Sequence, residues 1–136
     1  MKAPKVAESD VLRAVRSLLD LLKAQGKLTY RRITASGIPR GDRNGRTVFG
    51  RNEMAGMADL LIFLRTPDRR VLHIELKAPG GNVERKLSEG QRRWRDELRG
   101  VGHHDYHVVD DVRELAQILA AHGICHWSYP VAVSGA

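Results

Sequence analysis

The chain has 136 residues, 42% hydrophobic and 29% charged, with a formal net charge of +7, which is room for one domain with a real core but holds no run of about 18 apolar residues to cross a bilayer as a helix. No secretory pattern stands at its first residues, and the single cysteine, Cys125, excludes an internal disulfide, so the expectation is one soluble, intracellular, cytoplasmic domain over residues 1–136. The charge is uneven, −3 on residues 105–136 and +10 on residues 1–104; that density favours a polyanion, most commonly nucleic acid, over acidic lipid, for which a basic amphipathic helix with an apolar aromatic face would be needed.

In chain order, residues 1–5 read as a basic leader. Val11, Leu12, Val15, Leu18, Leu19 and Leu22 then recur at the three-and-four spacing of one buried helix face, and Gly26 closes that helix. Glu8 lies one turn before Leu12 on the same stripe. It has three readings: a first-turn acid favoured by the helix dipole, a residue just outside a helix capped by Ser9, or an extra carboxylate directed at a metal.

Residues 28–33 read as a strand with Tyr30 and Arg32 on one face and Thr29, Arg31 and Ile33 on the other. The breaker-rich segment 36–45 is expected to be a mobile loop. Its arginines suit a phosphate clamp, and Asn44-Gly45 suits a plain hairpin turn. A short strand over 46–49 pairs back, and residues 50–56 lead onward. Between Lys27 and Arg51 stand seven bases, Lys27, Arg31, Arg32, Arg40, Arg43, Arg46 and Arg51, against one acid, Asp42.

The stretch 56–77, GMADLLIFLRTPDRRVLHIELK, carries the candidate chemistry. Residues 60–64 and 71–76 are two β-like runs separated by a turn at Thr66-Pro67-Asp68. Alternation puts Val71, His73, Glu75 and Lys77 on one face and Leu72, Ile74 and Leu76 on the other. Asp59 opens the first arm, so pairing of the arms brings it near Glu75. Two carboxylates and an ammonium at one sheet end are costly to desolvate unless something binds them, and a hard divalent cation does so. A lone Glu-X-Lys is weak evidence, with an exposed strand face as its plain explanation; the preceding Gly56-Met57-Ala58-Asp59 and the hairpin give it context.

Residues 78–82 break the strand and read as a flexible loop. The next helix has Ser88 as N-cap and an inward stripe of Leu87, Gln91, Trp94, Leu98 and Val101. Gln91 interrupts that stripe. A capping box with Ser88 explains it, and so does an amide held against the site. Arg85 and Lys86 belong with Arg92, Arg93, Arg95 and Arg99, the last four expected outward, where they track a nucleic-acid backbone. Residues 106–109 form a further strand. A last helix starts near Asp110 or Asp111, turns Val112, Leu115, Leu119 and His122 inward and ends at Gly123. The tail 124–136, with Trp127, Tyr129 and Pro130, suits an edge strand or an oligomer contact.

The order helix, three strands, helix, strand, helix resembles the PD-(D/E)XK nuclease core, and the motifs resemble its VRR-NUC branch. They are Gly50 and Gly56 through Asp59, Ile74-Glu75-Leu76-Lys77, Pro79-Gly80-Gly81, Leu87-Ser88-Glu89-Gly90-Gln91, Trp94 and Gly102. The resemblance covers about residues 8–120. It departs at Arg32-Ile33-Thr34-Ala35, where the family usually shows Arg-X-Asn. It implies an α/β fold with a mixed central sheet flanked by helices, and metal-dependent hydrolysis of DNA phosphodiesters. Asp59 and Glu75, with the main-chain carbonyl of Leu76 and Glu8 as further candidates, would hold Mg²⁺ or Mn²⁺. Lys77 would orient or activate the attacking water, and Gln91 would assist. Arg32, Arg40, Arg43, Arg46, Arg51, Lys86, Arg92 and Arg93 would contact nucleic acid. Small stand-alone members resemble homodimeric nucleases for branched DNA such as four-way junctions or flaps.

Two rival readings fit the residues less well. A non-catalytic nucleic-acid-binding module gains nothing from acids facing phosphate. A zinc protein built on His103, His104, His107, Cys125 and His126 lacks a Cys-X-X-Cys pair.

Overall fold

The computed structural model describes residues 6–33, 39–41, 47–49 and 57–124, the two short middle segments by their backbone alone. The first helix, α1, spans Glu8–Ala24. Its stripe is as expected: Val11, Val15, Leu18, Leu19 and Leu22 are all buried, and each such side chain removed from water contributes about 2 kcal/mol. Ala7, in extended conformation, stands at the N-cap, and its N–H is held by Asp10 Oδ2 at 2.9 Å. Ser9 therefore lies inside the first turn, which corrects the alternative that made it the cap.

Strand β1 (Leu28–Arg32) follows a turn through Gly26, whose φ of 72° is costly for any residue with a Cβ. Strands β2 (Pro39–Gly41) and β3 (Thr47–Phe49) pair antiparallel as a separate two-stranded sheet. Part of the expected mobile loop is thus a strand, in line with its plain hairpin reading. Strands β4 (Leu60–Leu64) and β5 (Val71–Leu76) form the central hairpin. Its turn is fastened by Leu64 N–H to Arg70 carbonyl at 2.9 Å and by Arg70 N–H to Thr66 Oγ1 at 3.2 Å. A four-residue helix α2 (Val83–Lys86), capped by Asn82, precedes helix α3 (Glu89–Gly100). Strand β6 (Tyr106–Val109) and helix α4 (Val112–Ala121) complete the described chain, with Asp111 capping α4 through the Arg113 N–H.

The main sheet has the order β1-β4-β5-β6, antiparallel for the first two pairings and parallel between β5 and β6. A parallel neighbour demands a crossover, and α2 and α3 supply it. One face carries Leu28, Tyr30, Leu60, Ile62, Leu64, Leu72, Ile74, Leu76 and Val109 into a core shared with α1 and α4. The opposite face has a smaller cluster of Ala58, Leu98 and Tyr106, with Trp94 and Val108 against it. This is a mixed α/β, restriction-endonuclease-like core. Two outward and inward assignments on α3 are corrected. Val101 is the C-cap and 73% exposed, because the helix has already ended there. The Arg95 side chain is 12% exposed rather than outward, because α2 brings Glu84 to its guanidinium. No helix among the described residues is long and apolar enough to cross a membrane.

Candidate active site

The β4–β5 register pairs Leu60 with Ile74, so the residue before Leu60 and the residue after Ile74, Asp59 and Glu75, stand opposite on one face. Two hydrogen bonds fix the backbone and side chain of Asp59. Its carbonyl accepts the Ile33 N–H at 2.7 Å and its Oδ2 accepts the Leu76 N–H at 2.8 Å. The first bond ties the end of β1 to the head of β4; the second ties the head of β4 to the end of β5.

Among the described residues Glu75 is the buried acid, 2% exposed. Strand β5 lies between β4 and β6, and α3 lies over the face on which Glu75 stands. Its Oε1 accepts the Gln91 Nε2–H at 2.7 Å and faces Lys77 Nζ at 3.6 Å. Its Oε2 accepts from no N–H or O–H of the protein while both carboxyls are ionised. Burial, then the adjacent Asp59 charge and a hydrogen bond shared with that carboxyl, push the Glu75 pKa up to about 8, against the opposing pull of Lys77. At neutral pH the pair therefore holds a proton, or else requires another cation between its oxygens.

Gln91 resolves its two sequence readings by satisfying both. Its N–H donates to Ser88 Oγ at 3.1 Å while its Oε1 accepts the Ser88 N–H at 2.8 Å, a capping box that starts α3. The same Oε1 accepts from Lys77 Nζ at 3.3 Å, and the amide nitrogen reaches Glu75. One side chain thus holds the helix start, the acid and the ammonium together. The Lys77 side chain is 16% exposed and its N–H is fastened to the Val109 carbonyl at 3.0 Å, so the strand alternation continues past the end of β5.

A cleft of about 200 Å³ opens beside Asp59, lined by Glu8, Ser9, Leu12, Arg32, Asp59 and Leu76. Glu8 is the first residue of α1 and stands at this cleft as an acid at a helix N-terminus. Arg32, paired with Leu60 at the sheet end, also lines it. A second cleft shares Glu8 and continues along Ala78, Pro79, Gly80 and Lys86.

Of the remaining basic candidates, Lys86, Arg92 and Arg93 are engaged with other groups. Lys86 Nζ donates to the Ala78 carbonyl and Arg92 to the Glu84 carbonyl at 3.0 Å. Arg93 forms an exposed pair with Glu89 at 3.0 Å, an interaction of little energetic worth that a phosphate displaces readily. Arg40 lies on β2, where only the backbone is described, and Arg43, Arg46 and Arg51 lie outside the described residues, as do Gly50, Gly56, the leader and the tail beyond Ile124, which is itself buried in the core. Of the zinc candidates, Cys125 and His126 also lie outside them. His107 Nε2 and the unforeseen His122 Nε2 stand 3.9 and 3.8 Å from Asp105 Oδ1, which also receives charge from Arg70 through its other oxygen.

The donor set can be tested against a divalent ion. Among the described residues no group of three or more His, Cys, Asp or Glu side chains is arranged for a metal. Two adjacent carboxylates, one with an unpartnered oxygen, do fit a hard cation of the kind that takes one or two carboxylates and completes its shell with carbonyl and solvent oxygens. Local sequence pattern marks Tyr106 only as a strand residue. Its burial beneath α3 depends on the parallel β5–β6 register, which local pattern does not reveal.

The family model of the VRR-NUC domain matches residues 40–109, just over half of the chain, and this segment includes Asp59, Glu75, Lys77 and Gln91. No curated protein matches the chain.

Proposed function

Because the chain belongs to the VRR-NUC family, a family of nucleases, we propose that it is a divalent-metal-dependent DNA endonuclease whose centre is Asp59, Glu75, Lys77 and Gln91. The observation that carries the reading is the buried Glu75, gripped on one oxygen by Gln91 and Lys77, left without a partner on the other, and set beside Asp59. Burying an acid in this way is unfavourable for stability alone, and it prepares a place for positive charge.

Asp59 and Glu75, with the Leu76 carbonyl and Glu8 as further candidate ligands, would hold Mg²⁺ or Mn²⁺, which when bound would neutralise charge on the scissile phosphate and lower the pKa of a water toward neutrality. The chain's own residues do the positioning. The Leu76 N–H keeps Asp59 turned inward, and Gln91 keeps Glu75 and Lys77 in fixed rotamers. Lys77 presents its ammonium beside the acid pair, where it orients the attacking water and stabilises negative charge growing on phosphate oxygens. Arg32, which shares the cleft with Glu8 and Asp59, binds a flanking phosphate, and Lys86, Arg92 and Arg93 extend the cationic track along α2 and α3, with Arg40, Arg43, Arg46 and Arg51 as further contacts.

In its finer form the reading is a single nuclease domain that works as a homodimer on intracellular branched DNA, four-way junctions or flaps. The test is cleavage of a panel of linear, flap, fork and junction DNA with Mg²⁺, Mn²⁺ or EDTA. Metal-dependent nicking that disappears in Asp59→Ala and is strongest on branched substrates is expected. Binding that ignores the chelator, with no cleavage of any substrate, refutes the nuclease and leaves a binding module.

A further inference from the structure

The compartment that α3 closes against the sheet contains a group that this reading leaves unused. Tyr106 and Val108 belong to the cluster on the α3 side of β6, while Val109 enters the opposite core, as strand alternation requires. In the parallel register His73 pairs with Tyr106 and Glu75 with Val108. The Tyr106 side chain therefore lies on the same face as Glu75, one strand away, and is covered by Leu98 and Trp94.

Tyr106 is 4% exposed, and its Oη bonds to no protein atom. Four other buried polar atoms on this side of the sheet share that condition, His73 Nδ1, Arg95 Nε, Trp94 Nε1 and Glu75 Oε2. Trp94 Nε1 is a donor only and Glu75 Oε2 an acceptor when ionised, so these two and the hydroxyl are chemically complementary. A buried hydroxyl without a partner destabilises a fold, whereas phenylalanine would fill the same volume without that cost. After burial itself, the charges that bear most on the Tyr106 hydroxyl are those of Glu75 and then Asp59, and all three hold its proton in place. Tyr106 is thus a standing donor beside an acid pair.

We propose that Tyr106 is a positioning residue for the acid pair: its hydroxyl, unpaired in the metal-free fold, donates toward Glu75 across one buried water shared with Trp94 when a divalent cation is bound, and so fixes the carboxylate for that cation. The proposal rests on the reading of Asp59 and Glu75 as the cation site and adds to it a residue that touches neither DNA nor metal.

The test compares the parent protein, Tyr106→Phe and Asp59→Asn, each as the full chain. Mn²⁺ affinity is measured by calorimetric titration of metal-free protein, and melting is followed separately in EDTA. Tyr106→Phe is expected to bind Mn²⁺ about tenfold more weakly while melting in EDTA at or above the parent temperature, because the ring remains and an unpaired hydroxyl is gone. These opposite signs are what a purely structural tyrosine cannot give. Unchanged Mn²⁺ affinity in Tyr106→Phe, with Asp59→Asn weakened, overturns the role of Tyr106 alone. Weaker binding accompanied by a lower melting temperature in EDTA makes Tyr106 a packing residue and also overturns it. Parent-like Mn²⁺ affinity in Asp59→Asn overturns the cation site itself.

Discussion

Replacing Glu75 by Gln separates the two things this acid does. Its pKa rises from an ordinary 4.5 to about 8 in the fold, through burial first and Asp59 second. A raised folded-state pKa means that the native protein holds the proton more tightly than the unfolded chain. The stability this gives is therefore complete below about pH 4.5 and is lost as pH climbs to about 8. At about 1.4 kcal/mol per pH unit for one proton, the loss is on the order of 4 kcal/mol, a large part of the 5 to 15 kcal/mol of a typical domain. Glu75→Gln keeps the shape and abolishes the titration, so in EDTA the variant is expected to equal the parent near pH 5 and exceed it at pH 8 by a few kcal/mol, with no cleavage at either pH. Urea unfolding at half-unit steps from pH 5 to pH 9 measures this. His73 and His107, whose pKa values are lowered mainly by burial, titrate in both proteins and contribute the opposite slope; taking the difference between variant and parent removes them. A difference that does not grow with pH, or a variant less stable than the parent throughout, refutes the claim that Glu75 is a buried acid seeking a cation.

Lys77→Ala is expected to abolish cleavage while leaving Mn²⁺ binding within about a few-fold of the parent, because Lys77 is a neighbour of the acid pair and no metal ligand; single-turnover assays beside calorimetry distinguish the two. Gln91→Ala removes both the capping box and the link from Glu75 to Lys77; a stability loss of about 1 to 2 kcal/mol should accompany a fall in kcat, whereas Ser88→Ala should show a similar stability loss with most of the activity kept. Tyr30→Phe deletes the 2.6 Å hydrogen bond to Asp20 Oδ1 that links β1 to α1, and denaturant melts should show about 1 kcal/mol of destabilisation with unchanged cleavage.

How much of this was legible in the sequence follows from which interactions are local. The five buried positions of α1 repeat with the helical period, and the opposition of Asp59 and Glu75 follows once a single turn at Thr66-Pro67-Asp68 joins two alternating strands. The capping spacing of Ser88 and Gln91 is likewise a short-range signal. Helix α2 was not legible, because four residues are too few to show a period and its start rests on one Asn82 side chain. Missing α2 made Arg95 look outward, since its partner Glu84 is eleven residues away on that helix. The unpaired hydroxyl of Tyr106 needed the β5–β6 register, a parallel pairing across a helical crossover that no local pattern encodes.

The distribution of hydrogen bonds says why the acid pair sits at this end of the sheet. Every strand end nearby is fastened by a group that also touches the site: β1 to β4 through the Asp59 carbonyl, β4 to β5 through its carboxylate, β5 to β6 through the Lys77 N–H, and α3 to β5 through Gln91. The fold therefore closes around Asp59 and Glu75 without neutralising them, since these bonds engage one oxygen of each carboxylate with neutral donors and, among the described residues, Lys77 is the cation that pairs with them. A substitution that merely loosens one fastening shifts the carboxylates relative to each other, and because a cation must contact both, its affinity registers that shift before global stability does. Mn²⁺ affinity is consequently the more sensitive measure of damage here, and a variant such as Ile33→Pro, which lacks the N–H that holds the Asp59 carbonyl, should lose metal binding at temperatures where the core of α1, α4 and the sheet is still folded.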